Sequence, residues 1–140
     1  MATITASVSI SSDIMSYRTS INKTMTMTKA ASCNGLEETS GLNSKKVQST
    51  TRFLLFPNAD ATTLKASKVY IRNTGSDKAS SFTIGFGEDL GAATIETIGK
   101  LHGGDWMLIP YLGDVNITVA SSTTDTQYLE YMVFAETMLS

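Results

Sequence analysis

Apolar and polar residues alternate with a period of two near the start of the chain. The apolar positions are Ile4, Ala6, Val8 and Ile10, followed by Ile21, Met25 and Met27, and the positions between them are mostly Ser and Thr. Such alternation indicates strands with one covered face, because successive side chains of a strand point to opposite sides. Thr is β-branched and suits a pleated surface. The segment predicts either two strands or an extended arm, with Lys23 interrupting the apolar face.

A loop and a continuous apolar run come next. Residues 31–45 are small and polar and include two glycines, which predicts a loop. Phe53 to Phe56 are four large apolar residues in succession, and Pro57 stops the run. A run of this kind predicts a strand that is covered on both faces, or on one face with the other at an interface.

The stretch from Phe82 to Tyr111 contains three short apolar runs separated by glycine-rich turns. It predicts strands at about 81–87, 93–98 and 105–111. Gly85 lies inside the first of these strands and indicates a β-bulge or a close backbone approach. Pro110 should end its strand or place it at a sheet edge, because proline lacks the N–H that a ladder needs. The residues expected to anchor the core are Phe82, Ile84, Phe86, Trp106, Leu108 and Tyr131.

Three further segments complete the pattern. Residues 68–73 and 115–119 alternate as strands, with Val69 and Ile71 expected to point inward. Residues 127–136 fit either a strand face or a helix face, and their aromatic and β-branched content favours a strand. The total is eight or nine short strands with little or no helix. This pattern predicts an all-β protein, an antiparallel β-sandwich or jelly-roll-like fold, with a small barrel as the alternative.

Composition differs between the two parts of the chain, although the length suits a single domain. A length of 140 residues suits one domain. Residues 1–50 are rich in Ser and Thr and hold one aromatic residue, Tyr17. We therefore expect residues 1–45 to form an arm or strand pair and residues 46–140 to form the sandwich body. The formal net charge is −2 and only 17% of residues are charged, so the chain offers no basic footprint for nucleic acid.

No constellation of residues predicts catalysis, a metal or a cofactor. The chain has one cysteine, Cys33, and one histidine, His102, far apart in sequence. A nucleophile needs a positioned base, and a zinc site needs several such ligands. The glycines of His102-Gly103-Gly104-Asp105 fit a turn better than an oxyanion loop, since no G-x-S-x-G elbow accompanies them. No apolar run approaches the length of a membrane span, and no signal peptide is expected.

The segment from about residue 68 to 136 resembles small β-sandwich structural proteins of tailed bacteriophage virions. The residues that carry the resemblance are Val69–Gly75, Phe82–Gly85, the turn and strand Gly103–Pro110, Val115–Val119 and Tyr128–Tyr131. The resemblance implies a capsid decoration (cement) protein that is made in the cytoplasm of a bacterial host and located on the virion, at the capsid surface. Its implied partners are its own copies, with a trimer favoured, and the major capsid protein or other virion proteins, without nucleic acid or membrane.

Under that interpretation, the protein works through its surfaces. The residues predicted to form the interface are Ile4, Val8, Ile10, Ile21, Met25, Met27, Phe53 and Phe56. A tail, adaptor or fibre component of a virion is the alternative within the same class. A carbohydrate-binding β-sandwich is an alternative from a different class, and it would use Trp106 together with Tyr70, Tyr111, Tyr128 and Tyr131.

Overall fold

The computed structural model describes residues 3–12, 19–28, 36–39, 41–56, 65–87, 95–111 and 115–137. These residues form eleven strands and no helix, which confirms the all-β prediction and exceeds the expected eight or nine strands. The strands are β1 (Thr3–Ser12), β2 (Thr19–Thr28), β3 (Leu36–Thr39), β4 (Asn43–Val47), β5 (Phe53–Phe56), β6 (Lys65–Asn73), β7 (Ser81–Gly87), β8 (Glu96–His102), β9 (Trp106–Tyr111), β10 (Asn116–Ser121) and β11 (Gln127–Thr137).

Nine of these eleven strands form a sandwich of two antiparallel sheets. One sheet has the order β5-β10-β7-β8, and the other has the order β3-β11-β6-β9 with β4 also paired to β11. Strand β4 pairs with the first half of β11 and strand β3 with its second half, so the two short strands lie end to end along one side of β11. Segment 127–136, which fitted both helix and strand, is therefore a strand at the centre of its sheet.

The core lies between the two sheets and follows the predicted period of two. Its buried apolar side chains are Val47, Leu55, Val69, Ile71, Phe82, Ile84, Leu101, Ile117, Val119, Leu129 and Val133. Val69 and Ile71 are fully buried, whereas Arg72 is exposed, as the alternation in β6 predicts. Phe86 and Tyr131 pack against this cluster and stay half-buried. Full burial of one such side chain stabilises the fold by about 1.5–3 kcal/mol.

Two local predictions about strand geometry are confirmed. The register between β7 and β8 shifts between Ile84 and Gly85, where Ile98 of β8 is the extra residue, and a Cβ on Gly85 would collide with the side chain of Ile95. Pro110 lies in β9, the edge strand of the five-stranded sheet. An edge strand tolerates proline because one side of its backbone makes no ladder bonds.

The continuous apolar run of β5 has a specific cause. Ile117 pairs with Phe56 but Thr118 pairs with Leu54, so Leu55 is an extra residue in β5. This irregularity interrupts the strict alternation of faces. As a result, Leu55 is buried in the core and the neighbouring Phe56 also packs against it.

Two sequence predictions are wrong in position. The segment predicted as a loop, 31–45, contains β3 and the start of β4, both paired with β11. Their pattern is weak because Val47 is the only buried residue of β4. The strand predicted at 93–98 is found at Glu96–His102, where Leu101 is the only buried residue. In both places the segment becomes a strand because it pairs with the edge of a sheet, although its own residue pattern predicts a strand only weakly. Residues 93 and 94 lie outside the described residues.

Strands β1 and β2 form a separate antiparallel hairpin of two ten-residue strands. The register runs from Thr3 opposite Thr28 to Ser12 opposite Thr19. Of the two interpretations left open by the alternation, strand pair or extended arm, the structure contains the strand pair. Within the described residues β1 and β2 pair only with each other.

Candidate interaction surface

The two faces of the β1–β2 hairpin differ in chemistry. Residues that lie opposite each other in an antiparallel pair point to the same side. Ala6 therefore shares a face with Met25, Val8 with Lys23, and Ile10 with Ile21. The other face holds the hydroxyl and amide side chains of Thr5, Ser7, Ser9, Ser11, Ser20, Asn22, Thr24 and Thr26. Two of these, Ser7 and Thr24, hydrogen-bond across the strands at 3.1 Å between their hydroxyl oxygens. The hairpin thus has one mainly apolar face, interrupted by Lys23, and one uncharged polar face.

The base of the hairpin packs on the outer face of the five-stranded sheet. Ile4 and Met25 contact a small cluster around Phe134, which is 5% exposed. Phe134 follows the core residue Val133, so it points to the opposite side of β11. We call the receiving cluster the outer patch; its members are Tyr70, Leu108, Met132 and Phe134. The outer patch comes from three adjacent strands, β6, β9 and β11.

The far half of the hairpin leaves its apolar face exposed. Val8 is 36% exposed, Ile21 44% and Ile10 52%. These three belong to the predicted interface residues, whereas Ile4 and Met25 are half-buried against the outer patch. The side chain of Met27 lies outside the described residues. The predicted interface residues of this segment therefore share one face but differ in how far the chain itself covers them.

Open space separates the hairpin from the sheet beside this contact. A cavity of about 560 Å³ lies between β1 and the sheet, lined by residues 4–8 and by Tyr70, Arg72, Trp106, Leu108 and Phe134. A second cavity, of about 280 Å³, is lined by Val8, Lys23 and Met25 from the hairpin and by Lys68, Trp106 and Pro110 from the sheet. Well-packed protein interiors leave few voids larger than a water molecule. The hairpin therefore covers the outer patch incompletely.

Trp106 lies at the edge of these cavities. This position contradicts the prediction that Trp106 anchors the core. Its side chain is 48% exposed and its ring centroid is 6.4 Å from that of Tyr70. In β9 it is Met107 and Ile109 that pack against the main core, so Trp106 and Leu108 point to the outer face. Both faces of β9 are apolar, and the alternation alone did not reveal which of them is turned inward.

The two predicted interface residues of β5 have partners within the chain. Phe53 and Phe56 are half-buried and pack against the core. The Lys45 ammonium lies 4.5 Å from the centroid of the Phe53 ring, a distance typical of a cation–π contact. Part of the apolar area that suggested an interface is therefore used inside the fold. Their role in contacts between copies stays a prediction.

His102 belongs to a turn that links the two sheets. Its Nδ1 is 2.9 Å from the carbonyl oxygen of Lys78, a contact that requires a proton on Nδ1. The backbone N–H of His102 donates to one carboxylate oxygen of Asp105, and Lys78 Nζ donates to the other at 3.0 Å. The Lys78 hydrogen bond, aided by the His102 N–H, holds the pKa of Asp105 below its usual value. These polar groups stabilise the turn.

Steric constraints explain why glycine occupies positions 103 and 104 of this turn. Gly104 has φ of 84°, the left-handed region that favours glycine. A Cβ on Gly103 would collide with the backbone of Asp77. In the neighbouring loop the Ala79 N–H donates to the Asp77 carboxylate. This hydrogen bond lowers the pKa of Asp77. The turn is thus a close approach of two loops.

Asn73, the last residue of β6, has a structural role that the alternation pattern does not reveal. It is 1% exposed; its Nδ2 donates to the carbonyl of Leu101 at 3.1 Å and its Oδ1 accepts from the N–H of Gly75 at 3.0 Å. Because β6 and β8 belong to different sheets, this side chain ties the sheets together. The sequence feature that marks this role is Asn-Thr-Gly directly after the apolar residues of a strand.

The loop end of the sandwich holds a buried amide. Gln127 is 7% exposed, and within the described residues neither its Nε2 nor its Oε1 has a hydrogen-bond partner. It lines a cavity of about 630 Å³ formed by residues 74–77, 79–80, 122–123 and 125–128. A buried amide without partners costs about 1–3 kcal/mol.

Among the described residues, no three His, Cys, Asp or Glu side chains are grouped so as to hold a metal ion. The described part of the chain also has no helix long and apolar enough to cross a membrane. Cys33 lies outside the described residues.

No family model and no curated protein matches this chain. Two solved structures are similar to it. One is from work on Bacillus endospore appendages, a family of disulfide-linked pili; it is 16% identical, the match covers 80% of this chain and 100% of that chain, and the TM-score is 0.49. The other is the Yersinia pseudotuberculosis-derived mitogen, 10% identical over 74% of this chain and 88% of that chain, with a TM-score of 0.42. Similarity this low carries no argument about function.

Proposed function

We propose that this protein is a non-enzymatic structural subunit that assembles with copies of itself through the β1–β2 hairpin. The observation that carries the proposal is the exposed far half of the hairpin, where Val8, Ile10 and Ile21 present an apolar surface. A two-stranded hairpin is marginally stable in water unless another element covers its apolar face. Two ten-residue strands whose apolar face is only partly covered therefore need a partner.

The rest of the hairpin is suited to such contact. Its described residues include a single charged side chain, Lys23, so little charge has to be desolvated when a second surface arrives. The long edges of β1 and β2 also offer backbone groups to a further strand, a mode of association that needs little side-chain specificity. Both features favour repeated, identical contacts between subunits.

The setting proposed for this assembly is the surface of a phage capsid, which the sequence resemblance implies. In that role the subunits would bind the major capsid protein and stabilise the shell, and a tail, adaptor or fibre position is the alternative. Immunogold labelling of purified particles tests the setting. Labels spread over the shell would support decoration, labels confined to the tail would support the alternative, and the absence of the protein from particles would contradict both.

Self-association is tested at the two most exposed hairpin residues. Ile10→Ser and Ile21→Ser together remove an apolar pair whose members lie opposite each other in the register. The matched control is Ile98→Ser on β8, because Ile98 is also exposed, at 42%, but belongs to the sandwich. Light scattering after size exclusion should show an oligomer for wild type and Ile98→Ser and a smaller species for the double variant. A monomeric wild type, or a double variant that assembles normally, would refute the proposal.

Carbohydrate binding is a second candidate, favoured by the exposure of Trp106. An accessible Trp next to Tyr70 and Arg72, at the wall of a 560 Å³ cavity, combines an aromatic platform with a hydrogen-bond donor. Glycan-array binding that disappears in Trp106→Ala and persists in Trp106→Phe would support this function. An array without signal for the wild-type protein would dismiss it.

A further inference from the structure

We infer that, in the assembled protein, the hairpin of each copy docks on the outer patch of a neighbouring copy in place of that copy's own hairpin. The inference rests on the proposed self-association and adds the site at which the hairpin binds. The partner is thus a second copy of this chain, and the binding surface is formed by Tyr70, Leu108, Met132 and Phe134.

The chemical match between hairpin and patch is visible within one chain. Ile4 and Met25 of the hairpin pack against Phe134 and its neighbours. A second copy carries an identical hairpin and an identical patch, so the same contacts form whether the hairpin comes from the same chain or from another. Exchange of an identical element is a low-cost route to oligomers for this reason.

Docking within one chain is poor enough to leave room for a better arrangement. The cavities of about 560 and 280 Å³ lie beside the contact, and Trp106, which lines both, stays 48% exposed. In an exchanged arrangement the hairpin comes from a different subunit and can therefore approach the patch at a different angle. Closing the cavities and covering Trp106 provides the apolar burial that association requires.

The length of the connection permits exchange. Seven residues, 29–35, separate the end of β2 from the start of β3. At 3.3–3.6 Å per residue, such a segment spans at most about 25 Å. This exceeds the roughly 10 Å spacing of packed sheets, so the connection allows the hairpin to lie on a patch other than its own where the two patches are within that reach.

The geometry of exchange also sets the type of assembly. Each copy gives one hairpin and receives one, so every patch is filled only when the subunits close into a ring. A reciprocal dimer is the smallest assembly that closes in this way, and a ring of three closes equally well. An open series would leave one patch and one hairpin uncovered at its ends and would continue to grow.

Disulfide trapping in the full-length chain tests the inference. In a Cys33→Ser background, one variant carries Ile4→Cys with Leu108→Cys, a second carries Ile4→Cys with Met132→Cys, and a control carries Ile4→Cys with Ile98→Cys. Each is oxidised in the assembled state and analysed on non-reducing gels. Exchange predicts covalent dimers and higher species for both patch variants and not for the control, because Ile98 lies on the other sheet.

The outcomes separate the two proposals. If light scattering shows oligomers but the patch variants form only intramolecular links, or none, the exchange is refuted and self-association stands. If the wild-type protein is monomeric, self-association itself fails, and the exchange fails with it. A second readout is the fluorescence of Trp106, the only tryptophan of the chain. It should shift to shorter wavelength on assembly, and an unchanged spectrum would contradict burial of the patch by an incoming hairpin.

Discussion

The sandwich and the hairpin are built from the same kind of strand but differ in what covers them. In the sandwich, Val69, Ile71 and Ile117 alternate with polar or half-buried neighbours and are fully buried between two sheets. In the hairpin, Ile10 and Ile21 alternate with Ser and Thr in the same way and yet remain 52% and 44% exposed. Alternation alone therefore produces a strand, whereas stability depends on a second apolar layer. The sandwich supplies its own layer, and the hairpin takes part of one from the outer patch.

Truncation of a large side chain should separate the two regions most strongly. Phe82→Ala removes a fully buried ring from the core and should lower the free energy of unfolding by about 3–5 kcal/mol. Ile10→Ala in the hairpin should change it by less than about 0.5 kcal/mol in the monomer. Urea denaturation followed by circular dichroism measures both. Equal losses at the two positions would mean that the hairpin is covered in the monomer after all.

Adding a methyl group where the two loops touch should also lower the stability of the sandwich. Gly103→Ala places a Cβ against the Asp77 backbone and should destabilise the fold by about 1–3 kcal/mol. Gly99→Ala in β8 is the matched control, because an added Cβ there meets nothing within 4 Å. A thermal midpoint lowered equally by both substitutions would show that the close approach of the two loops is not responsible.

The buried amide offers a substitution that should strengthen the body. Gln127→Met keeps the length of the side chain and removes two polar atoms without partners in the described structure. We expect the free energy of unfolding to rise by about 1 kcal/mol, within the range that an unsatisfied buried group costs. A decrease in the urea midpoint would indicate that the amide is hydrogen-bonded in solution, for example to water from the adjacent cavity.

The smallest expected effect is a pH dependence of the turn at His102. The pKa of Asp105 is lowered in the folded protein, chiefly by the hydrogen bond from Lys78. Its stabilisation is therefore complete above the unfolded-state pKa of about 3.9 and is lost as pH falls through the lower, folded value. Asp105→Asn should remove this contribution and make stability less dependent on pH in that window. Asp77, whose pKa is also lowered, keeps part of the dependence.

That prediction has its own control within the turn. Lys78→Met removes the donor, so the pKa of the Asp105 carboxyl should rise towards its ordinary value, which NMR titration measures directly. An Asp105 pKa unchanged by Lys78→Met would show that the 3.0 Å contact is not maintained in solution.

The parts of the fold that could be predicted are those where one face of a strand is apolar and the other is polar. In β6 Val69 and Ile71 are the aliphatic positions between Lys68, Tyr70 and Arg72, which favoured one inward face, and the structure buries that face. The register shift and close backbone approach at Gly85 and the edge position of Pro110 were predictable because backbone chemistry restricts where these residues occur. In β9 both faces are apolar, so Trp106 was expected in the core and is found on the outer face.

By itself the sequence determined that the chain forms short antiparallel strands, because side-chain period and turn residues act locally along the backbone. It also determined that β1 and β2 have one mainly apolar and one hydroxyl-rich face. Only the tertiary structure decided that β3 and β4 are strands, that Asn73 joins the sheets, and that Phe134 and its neighbours receive the hairpin. These features depend on which sheet edges and faces are left open once the core has formed. Such open surfaces belong to the assembled sheets, and no single segment encodes them.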